Sequence, residues 1–296
     1  MVSSTRVFST LFVAVLLLTI PYVAFSAATS PSTTEVVNVA RGLAIDLYTQ
    51  YPAPYGGQGP NMPSDMFAPQ QDVNFSAVVT YNQYPVAQKL VGFHVRHQGA
   101  TVNYDIYDEA ATDGDGVARM TLRLPWPADD PVNEVFGLWN AIATVEVAEM
   151  VRNDTLAFWV WWKVQVVSVE PMHTEYVQRK AFGDPLDLSV ELRTYSMQLL
   201  PVTLALNVYD QLGFFVGSDF LQATAGWGEY RYYNYLGSET PPAKSYPINI
   251  TMPLSTYAVV GAGTAFGNAY DKFPWIGGTP YAPEAQNTVS FYIVSS

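Results

Sequence analysis

Few residues of this chain are suited to chemistry. The sequence has three histidines and no cysteine, which excludes disulfides, thiol nucleophiles and thiolate metal sites. His94 and His97 lie on one strand-like segment, whose geometry places them on opposite faces, and His173 stands alone. The motifs of serine hydrolases, zinc proteases and nucleotide-binding loops are absent. This pattern predicts a protein that is not an enzyme.

The best metal candidate is the acidic turn DEAATDGDG, residues 108–116. Asp113 and Asp115 are two residues apart, and Ca²⁺ prefers several carboxylate and carbonyl oxygens. The competing interpretation is a turn in which Gly114 and Gly116 take positive φ and the aspartates bond their own backbone. The turn is the preferred interpretation, and no other cofactor is expected.

Tryptophan is concentrated in FWVWWKV, residues 158–164. A strand phase continued from Leu156 directs Trp162 into the core and directs Trp159 and Trp161 outward. Three covers for the outward pair are open: the Pro-rich segment 49–71, a second domain, or another molecule. In the third case Trp159 and Trp161 are partner-binding residues.

A second aromatic concentration is GWGEYRYYNYLG, residues 226–237. Rigid aromatic rings give contact area at low entropic cost, so this loop could meet a partner protein or stack on sugars. It could equally pack on its own domain. The candidate binding residues are Trp227, Tyr230, Tyr232, Tyr233 and Tyr235.

Three N-glycosylation sequons begin at Asn74, Asn153 and Asn249. Asn74 and Asn249 alternate with apolar neighbours along strand-like segments, and Asn153 follows an arginine in a predicted turn. All three asparagines are therefore candidate attachment sites for a glycan.

The elements that position these residues are strands. Apolar residues recur at every second position in 73–80, 143–149, 186–193 and 202–209, which is the period of a strand with one buried face. The pattern predicts an all-β chain of two tandem immunoglobulin-like β-sandwiches behind an N-terminal signal segment.

The expected boundaries follow composition. The first sandwich takes residues 42–168, the charged stretch 169–185 is the linker, and the second sandwich takes 186–296. Segment 49–71 is too rich in Pro and Gly for a central strand and is expected to pack on the sandwich.

The N-terminal 28 residues have one early arginine, a long apolar run and small residues at the end, as in a signal peptide. An uncleaved anchor, which would be the chain's only membrane contact, is the alternative. Residues 29–41 then form an arm that could add a strand to a neighbour, whereas 43–48 is more easily the first strand of its own domain. The expected location is extracellular, at the cell surface.

Three stretches carry a family resemblance. ATDGDGVARMTLRLP (111–125) and the strands of 73–95 resemble bacterial immunoglobulin-like domains of the invasin and macroglobulin lineages. LDLSVELRTYSMQLLPVTLALNVYDQLGFFVGS (186–218) resembles the cell-adhesion-related module of prokaryotic surface proteins. The whole arrangement is similar to a group of secreted archaeal proteins of uncharacterised function. The resemblance implies a cell-surface setting and no assigned chemistry.

Taken together, these features predict a secreted, non-catalytic surface protein that self-associates into a filament or layer, binds other surface proteins, or acts as an adhesin. The formal net charge of −12 argues against nucleic acid as a partner. The alternative is a carbohydrate-binding module, or the accessory part of a secreted hydrolase, in which the tyrosine loop binds a glycan.

Overall fold

A computed structural model describes residues 42–99, 102–127, 134–178, 185–232, 236, 240–282 and 288–295. The predicted signal segment 1–28, the arm 29–41, Tyr233 and Tyr235 lie outside the described residues. The fold is all-β, as predicted, and is built as two sandwiches of two sheets each.

The first sandwich packs a sheet in which β2 pairs with β1, β3 and β6 against a sheet of order β5-β4-β7-β8. Every pairing between these strands is antiparallel, so hairpins can join neighbours, although β1 and β2 are joined by the long segment 49–71. The strands are β1 Leu43–Tyr48, β2 Asp72–Tyr81, β3 Tyr84–Pro85, β4 Leu90–Gln98, β5 Asn103–Ala111, β6 Val117–Arg123, β7 Gly137–Val147 and β8 Met150–Val160.

The second sandwich packs a sheet of order β14-β11-β9 against a sheet of order β10-β16-β15-β12-β13. Among the described strands of this sandwich, only β10 and β16 pair in parallel. A 3₁₀ turn, Pro274–Ile276, lies between β15 and β16. The strands are β9 Val164–Pro171, β10 Glu175–Gln178, β11 Pro185–Thr194, β12 Leu200–Tyr209, β13 Phe215–Ala225, β14 Lys244–Pro253, β15 Gly261–Tyr270 and β16 Thr288–Ser295.

The predicted alternation is confirmed in 73–80, 143–149 and 186–193. In 202–209 it is only partly right: Thr203 and Ala205, predicted to face water, are buried as well, because β12 is paired on both sides inside its sheet. In β11 and β12, for example, Leu188, Val190, Leu204 and Leu206 are fully buried in the core of the second sandwich. Each sandwich has its own apolar core, formed by the inward residues of its two sheets.

The boundary between the sandwiches differs from the one expected. Residues 164–168 belong to β9, which pairs with β11 in the second sandwich, and the expected linker holds the end of β9 and all of β10. The composition of 169–185 is misleading because β9 and β10 are short sheet-edge strands, where polar residues are tolerated. Only residues 161–163 separate β8 from β9.

Each sandwich has an inner pole, where it meets the other, and an outer pole at the opposite strand ends. The inner poles are formed by connections between strands, namely segment 49–71, residues 161–163, residues 195–198 and the loop after β13. Leu43 begins β1 at the outer pole of the first sandwich, beside the turn after Tyr81. Residues 293–295 end β16 at the outer pole of the second sandwich, beside Gly261. No helix within the described residues has the length and apolarity needed to span a bilayer.

Candidate functional site

Trp159, predicted to face outward, is only 1% exposed. The Pro-rich segment supplies the cover, since residues 64–67 run along the free edge of β8. Phe67 N donates to Trp159 O at 2.9 Å and Trp161 N donates to Phe67 O at 3.0 Å. Because this segment occupies the edge, the outer side of β8 near Trp159 lies inside the molecule, whereas Asn153 on the same side is exposed. Trp159 is therefore not a surface for a partner.

A small apolar cluster joins the two sandwiches. Met66 and Trp159 from the first meet Tyr195 and Met197 from the second, and Trp161 packs at the margin. Trp162, predicted to be in the core, is half-buried and packs on Trp126 and Phe136 instead, because β8 ends at Val160 and the strand phase does not continue. The second sandwich is thus the other cover for the tryptophan pair.

A buried carboxylate links the same two poles. Asp65 accepts hydrogen bonds from the backbone N–H groups of Met66, Met197 and Gln198, from Ser196 Oγ at 2.8 Å and from Gln198 Nε2 at 2.9 Å. Four of these donors belong to the second sandwich. Burial removes water from the Asp65 carboxylate, and these five hydrogen bonds replace it. Because the bonds are directional, they fix how the two sandwiches are oriented at this contact.

Lys163 lies beside this carboxylate, in the junction between β8 and β9. Its Nζ donates to Tyr51 Oη at 2.8 Å, and Tyr51 Oη donates to Met66 O. Burial lowers the pKa of Lys163 to about 8, against a smaller raising effect of Asp65, and burial raises the pKa of Tyr51. Lys163 is half-buried as a whole residue.

The tyrosine loop packs largely on its own molecule. Tyr230 Oη donates to Pro63 O at 2.8 Å across the inner poles. Trp227 is covered by Arg231, whose Cζ is 3.8 Å from the ring centroid. Tyr232 is partly buried in the same loop. Trp227 and Tyr230 are therefore engaged internally, and neither offers an open platform for sugar.

The acidic turn takes the backbone-bonded form, with Gly116 at a φ of +76°, whereas Gly114, also predicted to have positive φ, does not. Asp113 Oδ1 accepts from the N–H groups of Asp115 and Val117, and its Oδ2 accepts from Arg119. The Arg119 hydrogen bond is the main reason that the pKa of Asp113 is lowered. An arginine in this position competes directly with a cation. In the described part of the chain, no three His, Asp or Glu side chains are grouped as metal ligands.

The remaining sequence candidates lie on the surface of the sandwiches. Asn74, Asn153 and Asn249 are all exposed on strands, with Asn153 within β8 and not in a turn. His94 and His97 face opposite sides of β4, as expected. His97 is buried, and its ring nitrogens lie 2.9 and 3.0 Å from the carbonyl oxygens of Leu138 and Glu134.

A surface that the sequence reasoning missed occupies the outer pole of the second sandwich. The β12–β13 turn and the β14–β15 loop there expose bulky apolar side chains, 58% for Phe215 and 89% for Tyr257. We call this surface the apolar pole; its residues are Leu212, Phe214, Phe215, Tyr257 and Val260. Segments 211–218 and 252–270 contain no Lys, Arg, Asp or Glu. This absence of charge in the sequence could have identified the apolar pole.

Asp210 gives the apolar pole its shape. Its buried carboxylate accepts from Leu212 N and Phe214 N in the turn, and from Val259 N at 3.0 Å in the neighbouring loop. Burial by itself raises the pKa of Asp210, but these three N–H donors outweigh burial and hold the pKa below its usual value. The exposed side chains therefore stand on a fixed framework.

Comparison with solved structures gives matches of low structural similarity. Solved structures that match are a mutant alpha-2-macroglobulin of Salmonella (TM-score 0.32) and two structures of Escherichia coli alpha-2-macroglobulin, one activated by porcine elastase and one in the native conformation (0.30 and 0.29). Each is 10% identical and covers 86% of this chain. This chain spans only 16%, 22% and 16% of those proteins, respectively. No protein-family model and no curated protein matches the chain.

Proposed function

We propose that this chain is a secreted, non-catalytic structural protein of the cell surface whose copies join end to end into a filament or layer. The apolar pole carries the proposal. Its bulky side chains stand in water on segments without a single charge, in a protein whose net charge is −12. Contiguous apolar surface of this kind marks interaction sites, and the centres of interfaces are depleted of charge and rich in aromatic residues.

The occupant that fits this pole is the N-terminal arm, residues 29–41, of a second copy. The arm contains Val36, Val37 and Val39 and continues into Gly42 at the outer pole of the first sandwich. Its thirteen residues reach about 43 Å when extended. The ten-residue strands β2 and β11 are each about 33 Å long, and the sandwiches meet at their inner poles. An extended arm is therefore about as long as one sandwich and could not span both if they lie end to end.

In this contact the arm of one copy meets the apolar pole of the next. An assembly of any length therefore has a free arm at one end and a free apolar pole at the other. Such head-to-tail contacts extend without closing unless the rotation makes a ring. The edge strand β13 begins at the apolar pole, so an incoming extended arm can also pair with its backbone. The bonded junction at Asp65 and Lys163 suits a subunit that keeps its two ends in fixed orientation.

The test uses the chain from residue 29 onward, followed by sedimentation and electron microscopy. We expect the wild type to assemble. Deletion of 29–41 and the double substitution Phe214→Ser with Phe215→Ser should each leave a folded monomer. Val102→Ser, which removes an exposed apolar side chain of the first sandwich, is the matched control and should assemble normally.

A mixing experiment sharpens the test. The deletion variant keeps the pole and the double variant keeps the arm, so a mixture has one complementary contact and should stop at one-to-one pairs. Longer assemblies from the mixture, a wild type that stays monomeric, or normal assembly by the double variant would each contradict the proposal.

A further inference from the structure

A shallow groove crosses the outer face of the β5-β4-β7-β8 sheet in the first sandwich, far from the apolar pole. Two adjoining depressions of about 560 and 630 Å³ meet at His94. From Gly92 to Gln98 the groove follows β4 for about 20 Å. Its outward side chains come from three neighbouring strands whose register fixes their positions.

Gly92 forms the floor at one end. It lies in a cross-strand row between Glu109 and Thr144, and a Cβ placed on it would have no atom within 4 Å. Glycine is unfavourable inside a strand because it packs nothing and loses more conformational entropy. Because Gly92 has no side chain, it leaves an open space between the side chains of Glu109 and Thr144.

Tyr107 forms a flat platform beside that space. One face of its ring stacks on His94, with centroids 4.2 Å apart and planes 11° apart, and the side chain is 69% exposed. His94 is held in turn by Asp105, to which its Nε2 is bonded. The platform is thus fixed in orientation before any ligand arrives, while the other ring face is open to solvent.

The surroundings of the platform select the ligand's chemistry. β4 is paired on both sides, with β5 and β7, so its backbone offers no edge for an incoming peptide strand. Recognition depends on side chains, which are mostly acceptors and small polar groups. Asp105 and Glu109 outnumber Arg96, so anionic ligands are disfavoured. A neutral pyranose has an apolar C–H face that can stack on the tyrosine ring. Its hydroxyl groups can form hydrogen bonds with carboxylate, amide and threonine side chains.

We propose that this groove binds a neutral pyranose chain, with Tyr107 stacking on one sugar ring and Gly92 admitting the next. The platform at Tyr107 and Gly92 is separate from the apolar pole, so the site functions in a monomer and does not depend on assembly. At the other end of the groove, Leu138 also packs against the inter-sandwich cluster. Two sources can supply the sugar: a polysaccharide outside the chain, or a glycan on Asn153, which lies in the same cross-strand row as Thr144 and Gly92.

The first experiment uses protein made in a host that adds no glycan. Hexamers of glucose, mannose and N-acetylglucosamine are titrated by calorimetry and by NMR, with an oligogalacturonate as the anionic comparison. We expect at least one neutral hexamer to bind and the anionic chain to bind at least 10-fold more weakly. Tyr107→Ser, and Gly92→Val, whose Cβ would have no atom within 4 Å, should each weaken binding by 10-fold or more.

Tyr84→Ser is the control, since Tyr84 is exposed on the same sandwich outside the groove, and it should bind as the wild type does. The proposal is overturned if none of the neutral hexamers binds at millimolar concentration, or if binding is unchanged in Tyr107→Ser and Gly92→Val. Loss of assembly in the apolar-pole variants should leave sugar binding intact, which separates this proposal from the previous one.

A second experiment distinguishes the two sources, using protein purified from the cells that make it. If the glycosylated chain ignores the hexamer and Asn153→Gln binds it, the groove is filled by the chain's own glycan. If both bind, the sugar comes from outside. Failure of both to bind a hexamer that the unglycosylated protein binds would contradict a groove open to either source.

Discussion

Asp65 shows how much one side chain contributes to the contact between the sandwiches. Five donors converge on its carboxylate, and four of them come from residues 196–198, more than 130 positions later in the chain. Hydrogen bonds to a buried charge are among the stronger ones, and a donor left without a partner in the interior is destabilising.

We therefore expect Asp65→Asn to lower the free energy of unfolding by about 2–4 kcal/mol, because the amide loses the charge and turns an N–H₂ group toward other donors. Urea denaturation measures this. Asp72→Asn is the control: Asp72 is exposed and pairs only with Arg123, so its loss should change stability by less than about 1 kcal/mol. Equal effects of the two substitutions would show that Asp65 has no special role.

Lys163 makes stability depend on pH. Its pKa falls from 10.5 in the unfolded chain to about 8 in the folded one, so between these values the unfolded chain holds a proton that the folded chain has released. Stability therefore rises with pH over this window, and below pH 8 the buried charge costs at most about 3 kcal/mol. Above pH 10 the raised pKa of Tyr51 acts in the opposite direction.

The test is urea denaturation of the wild type and of Lys163→Met at several pH values from about pH 7.5 to about pH 9.5, a range in which the folded protein releases the Lys163 proton. We expect the wild type to gain stability toward the higher pH and the variant to show a flatter profile. A wild type and a variant with parallel profiles would mean that Lys163 stays charged in the folded protein.

At the scale of elements, segment 49–71 matters most, because it is packed against the first sandwich on one side and bonded to the second on the other. Gly57 shows how tightly it fits. Its φ is +82°, and a Cβ there would lie 2.2 Å from Leu156 Cδ1 and 3.0 Å from Met62 O.

Gly57→Ala should therefore lower the free energy of unfolding by about 2–4 kcal/mol, through backbone strain and a clash with a core leucine. Gly114→Ala is the matched control, since a Cβ there meets nothing within 4 Å, and it should change stability by about 0.5 kcal/mol or less. Thermal unfolding of both variants decides the matter; a tolerated Gly57→Ala would show that the segment can move away from Leu156.

Strands with their own alternating pattern could be predicted from the sequence. β2 and β11 are examples, because each buries one face in its own sandwich and the period of two is visible within ten residues. β8 and β9 could not be separated in this way. Apolar residues recur at every second position throughout 156–166, yet the chain passes from the first sandwich to the second at 161–163. The change occurs because β9 pairs with β11.

The environment of a side chain was predictable only where local sequence determines it. The Asx-type turn at Asp113 is local, and its bonds were anticipated. Trp159 is buried by a segment about 90 residues earlier, Asp65 is bonded by residues far later, and His94 meets Tyr107 through strand register. Such contacts depend on long-range pairing, which leaves no mark within a short stretch of sequence.

At the scale of the whole molecule, the inner poles should couple the unfolding of the two sandwiches. The apolar cluster, Asp65 and the Tyr230–Pro63 bond all break when either sandwich unfolds. We expect one calorimetric transition for the wild type, with equal calorimetric and van't Hoff enthalpies. Asp65→Asn combined with Tyr230→Phe should split it into two. Two transitions in the wild type would show that the sandwiches are thermodynamically independent.

The placement of residue 42 and residue 295 at opposite outer poles has a mechanical consequence. A pull on residue 42 acts along β1, lengthwise against its six-residue ladder with β2, and a pull on residue 295 acts along β16 against β15 and β10. Force applied in this direction loads the hydrogen bonds of each ladder together, in shear, instead of opening them one at a time. A chain held at these two points would resist tension through its terminal strands before its sandwiches extend.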